Sequence, residues 1–72
     1  MKLFKIHVVN YGEEEDSKAF ATFLVLARDE GRVELLVREY IKKEELLKGD
    51  VEILDVKEVP TDKEQVLGVI LD

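Results

Sequence analysis

Between Ala19 and Ala27 the chain reads AFATFLVLA, with Thr22 alone interrupting the apolar run. A β-strand turns successive side chains to opposite faces, so a strand with one wet face alternates apolar and polar residues. Here Ala21, Phe23, Val25 and Ala27 fall on one side, and Phe20, Thr22, Leu24 and Leu26 on the other. Both sides are oily. Any sheet containing this strand asks for cover on two faces, and the chain has 72 residues with which to supply it.

The rest of the pattern sets how much cover is available. KLFKIHVVNY, Lys2 to Tyr11, is a strand with Phe4, Ile6 and Val8 on one side and Lys5 and His7 among Leu3, Val9 and Tyr11 on the other. Gly12, the acidic run Glu13, Glu14, Glu15 and Asp16, and Ser17 make a connection too long for a two-residue hairpin. From Asp29 the period changes to that of a helix: Val33, Leu36, Val37, Tyr40 and Ile41 share a stripe, with Leu47 one heptad past Tyr40. Asp29 is the expected N-cap, Glu30 suits the positive end of the helix dipole, and Gly49 is the expected left-handed cap. Gly31, poor in a first turn, allows a later start. Glu34 with Arg38 and Glu39 with Lys43 are favourable pairs on the wet side.

In Val51 to Val59, Val51 and Ile53 lie on one side but Leu54 and Val56 on the other, a change of phase that a bulge near Ile53 and Leu54 would produce. Pro60 ends that strand. Thr61 to Glu64 form either a capping box for one helical turn or a plain connection, and QVLGVIL, Gln65 to Leu71, is the expected fourth strand. The expected fold is therefore α+β, one small domain over residues 1–72 in the order β-β-α-β-β. It is a four-stranded, mainly antiparallel sheet with one helix packed on one face and the spatial order 2-1-3-4.

One helix covers one face. A second copy of the chain, stacked sheet on sheet, is the expected cover for the other, which makes Phe20, Thr22, Leu24, Leu26, His7 and Val9 the expected interface of a homodimer. Protonation of His7 in so dry a layer would weaken association in acid. So small a domain also needs a staple, and the chain has no cysteine for a disulfide or thiolate metal site.

Composition narrows function mainly by exclusion. The net charge is −6, from 17 acids and 11 bases, and the bases are scattered among the acids, so direct nucleic-acid binding is disfavoured. No charged leader and no apolar span of membrane length is present, and a soluble, cytoplasmic protein without membrane contact is expected. Lys and Glu are abundant while Asn, Gln and Met occur once each, a bias found in proteins of hot environments.

His7 is the only histidine and Ser17 the only serine, and the four glycines are dispersed. No catalytic residue, metal ligand or cofactor is therefore expected, and the chain is read as a non-enzyme. Glu13, Glu14, Glu15 and Asp16 lack the interleaved oxygen ligands of a calcium loop and are instead the expected contacts for a protein partner, with Tyr11 and Gly12 at their root. The expected role is a small protein-interaction or accessory module, using an open sheet edge or this acidic loop. Two alternatives come from other classes. One is an acidic inhibitor that imitates nucleic acid, with Glu13 to Asp16, Glu44, Glu45, Glu52 and Glu58 gathered on one surface. The other is a regulatory domain that binds a small ligand between stacked sheets.

Overall fold

The structure is a computed structural model, and it describes residues 1–12, 17–47, 49–69 and 71. Two ten-residue strands, β1 (Lys2–Tyr11) and β2 (Lys18–Ala27), are followed by a 3₁₀ turn (Glu30–Arg32), helix α1 (Val33–Glu44) and strand β3 (Asp50–Val59). The sheet has three strands in the order β2-β1-β3, with β1 antiparallel to both neighbours. The β1–β2 register is continuous, from Lys2 opposite Ala27 to Tyr11 opposite Lys18.

Among the described residues the expected fourth strand is absent, and Ile70 of that stretch lies outside them. No described residue beyond Val59 is in a strand, and Val66, Leu67, Val69 and Leu71 are all exposed. The order among the described residues is therefore β-β-α-β. The local cause is at the junction: Pro60 stops the ladder, and Gln65 folds back so that its side-chain amide donates to the Pro60 carbonyl, a bend with no hairpin geometry behind it. Thr61 to Glu64 make the plain connection rather than a helical turn.

The core lies between α1 and the face of the sheet that carries the even-numbered residues of β1. Phe4, Ile6 and Val8 are buried there with Ala27, Val33, Val37 and Ile41, and Phe23, Val25, Leu36, Leu47, Val51, Ile53 and Val56 pack around them. Spacing of four between Val33, Val37 and Ile41 puts them in one row on the helix, which is why this row sinks deepest. Tyr40 stays half out of the core and sets its ring edge-on against Phe23, with centroids 6.3 Å apart.

Both expected helix caps are corrected. Asp29 is extended and its side chain caps nothing; the 3₁₀ turn through Gly31 takes up the first residues, and the α-helix begins only at Val33. At the other end Glu45, not Gly49, adopts the left-handed conformation (φ 51°), and the amides of Glu45 and Leu46 both reach back to the Ile41 carbonyl. Gly49 also has positive φ, but it serves the strand that follows. A β-carbon there would stand 2.3 Å from the Tyr11 carbonyl oxygen at the end of β1.

The expected bulge is present. His7 pairs with Asp55 and Val8 with Ile53, so Leu54 is the extra residue on β3. That single insertion keeps Val51, Ile53 and Val56 all on the helix side of the sheet.

Candidate interaction surface

The registers define the helix-free face row by row. Leu26, Leu3 and Val59 form one row across the sheet; next come Leu24, Lys5 and Lys57, then Thr22, His7 and Asp55, then Phe20, Val9 and Glu52, and last Lys18, Tyr11 and Asp50. All six expected interface residues thus share this face. The face as a whole is not the oily surface that the alternation suggested. Its apolar content is concentrated on β2, where Phe20 is 73% exposed, Leu24 49% and Leu26 65%. Across β1 and β3 the face is largely charged or polar. Val9, though on this side, is already buried within the subunit and has no surface to offer a partner.

The polar rows are tied together across strands. His7 Nδ1 lies 2.7 Å from Asp55 Oδ1, with both side chains partly exposed. Within one subunit His7 therefore faces the Asp55 carboxylate and water. Asp55, His7 and Thr22 stand in one row, and carboxylate, imidazole and hydroxyl are the parts of a hydrolytic relay. Here they lie on the helix-free face of the sheet, with His7 and Asp55 partly exposed to water. Tyr11 donates its hydroxyl to Glu52 Oε2 at 3.0 Å, and Lys18 sits over the Tyr11 ring, 5.6 Å from its centroid. The hydrogen bond to the Glu52 carboxylate, with that group's negative charge, raises the Tyr11 pKa above the ordinary 10.0.

The two outer edges of the sheet differ in kind. On β3 the ladder is interrupted by the Leu54 bulge; Asp50, Glu52, Asp55, Lys57 and Glu58 are exposed along the strand, and Pro60 follows it. Arg38 of α1 also donates to the Val51 carbonyl at 3.0 Å, and Asn10 donates to the Asp50 carbonyl at 3.2 Å. Bulges, charges and occupied backbone groups are the usual protections of an edge against further pairing. β2 differs: the strand is unbulged over ten residues, and Lys18 at its start is its only charge. No described strand pairs with its outer side. Along that side runs a groove of about 570 Å³, lined by Thr22 to Leu26 and by Leu36, Val37 and Tyr40 of α1.

The expected partner-binding residues Glu13, Glu14, Glu15 and Asp16 lie outside the described residues. Their root is visible: the Gly12 amide donates to the Ser17 carbonyl at 2.7 Å, closing the connection at its base. Among the described residues, no three His, Asp or Glu side chains gather as a metal site would require, and no helix is long and apolar enough to cross a membrane. Sequence reasoning missed Asp55 as the partner of His7 and Glu52 as the partner of Tyr11. It also missed the contrast between the two edges, for which the signal was present in the even spread of charge along Val51 to Val59 and its near absence from Ala19 to Ala27. The chain matches no family model, no curated protein and no solved structure.

Proposed function

We propose that this protein is a small non-catalytic interaction module that self-associates through the β2 side of its sheet. The observation that carries this reading is the exposed column Phe20, Leu24 and Leu26 on β2, beside β1 and β3 rows that are largely charged or polar. Scattered exposed leucines are ordinary, whereas a column on one strand, beside a groove walled by Leu36 and Tyr40, is a continuous apolar patch of the sort that marks an interface. Sedimentation equilibrium at low micromolar concentration tests the reading: the expected species has twice the 8.3 kDa chain mass. A monomer at every accessible concentration would remove self-association and with it the proposed role.

A further inference from the structure

Resting on that reading, we infer that the occupant of the β2 edge is β2 of a second copy, paired antiparallel about a two-fold axis normal to the sheet, so that two three-stranded sheets become one of six strands. The contrast between the edges selects the site. β3 carries a bulge, exposed charges and a carbonyl already held by Arg38, while β2 offers a straight ladder and a single charge.

The sequence of β2 is compatible with itself. Opposed residues in an antiparallel pair share a face, so the dyad must fall on a residue rather than between two. Centred on Phe23, the pairing sets Phe20 against Leu26 of the second copy and Leu24 against its Thr22, each twice, on the helix-free face. On the helix side it sets Ala21 against Val25, again twice, and at the dyad Phe23 against Phe23 of the second copy. Lys18 and Arg28 of the second copy then lie at the solvated ends, where salt screens like charges. Centring on Leu24 would oppose Phe20 with Arg28, and centring on Thr22 would oppose Leu26 with Lys18.

The area is of the right size. Phe20, Leu24, Leu26 and Tyr40 together expose roughly 500 Å² of side-chain surface per subunit, and edge pairing draws on the flanks that they turn toward the second copy, against the about 800 Å² each partner gives in a standard stable interface. Backbone pairing along the edge and the facing flanks of the two helices supply the remainder. A stack of two helix-free faces would instead bury Lys5, Lys57, His7 and Asp55, at a desolvation cost that edge pairing avoids.

Spin labels on the full chain distinguish the two arrangements. With the label at Thr22→Cys, the two copies are expected to lie within about 15 Å, because their β2 strands are neighbours about 4.8 Å apart. With it at Lys57→Cys, five strand spacings separate the copies, roughly 24 Å before the label linkers are added. Similar short distances at both positions would mean stacked faces and would overturn the edge pairing while leaving self-association intact. Leu24→Lys puts two ammonium groups beside the dyad and is expected to raise the dimer Kd at least tenfold with unchanged circular dichroism. Should that variant not fold, Thr22→Lys, at an exposed position in the same seam, makes the same test. Val69→Lys, in the exposed segment after Pro60, is expected to leave the Kd unchanged; dissociation by it would give the β2 edge to that segment and overturn the pairing of β2 with β2. Wild-type protein that is monomeric throughout would overturn both this inference and the reading beneath it.

Discussion

At the scale of single residues, two left-handed positions invite opposite substitutions. Gly49, at φ 86°, has the Tyr11 carbonyl oxygen where a β-carbon would go, so Gly49→Ala is both strained and obstructed by backbone. It is expected to cost about 1–3 kcal/mol in urea unfolding. Glu45 pays the left-handed penalty with a full side chain, and Glu45→Gly is expected to gain up to about 1 kcal/mol, part of the relief being lost to the freer unfolded chain. Gain at Gly49 or loss at Glu45 would contradict the backbone described. Tyr11 supplies a pH dependence. Its pKa is raised in the fold, so between 10.0 and the folded value the native chain holds a proton that the unfolded chain has released. The Tyr11–Glu52 contribution is thus fully present below pH 10.0 and is lost as pH rises through the folded value. Tyrosinate absorbance in a Tyr40→Phe background is expected to show a midpoint above 10.0 that falls in Glu52→Gln. A midpoint unmoved by Glu52→Gln would disprove the assignment.

At the scale of elements, what could be read in the sequence divides by the range of the physics involved. The β1, β2 and β3 patterns and the stripe of α1 are local periodicities, and each element stands where its period put it. Even the bulge was legible, because one extra residue flips the phase of every apolar residue after it, and Val56 records the flip. In the row through His7, Thr22 was legible as a neighbour across the sheet and Asp55 was not. Asp55 reaches His7 only because Leu54 is skipped, so the pairing depends on a bulge fixed to the exact residue and on the β1–β3 register. Likewise Gln65 to Leu71 has strand composition, but composition cannot say whether a neighbour is at hand to pair with it, and in this chain no described strand does. The polar character of β1 and β3 on the helix-free face was hidden for the same reason, since reading faces strand by strand does not show which columns adjoin. Central position carries its own test. Ile6 has no exposed surface, lies on the middle strand and faces α1, so Ile6→Ala is expected to cost about 2–5 kcal/mol. In a domain this small that approaches the whole folding free energy, and circular dichroism at 25 °C is expected to show the variant largely unfolded. Cooperative melting close to wild type would mean that Ile6 is not at the centre of the core.

At the scale of the whole molecule, the charge balance works against the assembly proposed and so offers a way to detect its nature. Each chain carries −6, and two such chains about 25 Å apart repel by about 6 kcal/mol in unscreened water. At 0.01 M salt the Debye length, about 30 Å, leaves much of this in force; at 0.15 M, about 8 Å, it leaves little. The β2 seam is apolar and has no ion pair for salt to weaken, so screening acts on the repulsion alone. Association is therefore expected to tighten about tenfold or more over that range of salt. An acidic surface that docks on a basic partner by imitating nucleic acid would behave in the opposite sense, losing affinity as salt rises. Sedimentation equilibrium of the isolated chain across the salt series reads the sign directly. Weakening of the dimer by salt would show that attraction between unlike charges, rather than the apolar column of Phe20, Leu24 and Leu26, holds the copies together, and the β2 seam would then be the wrong interface.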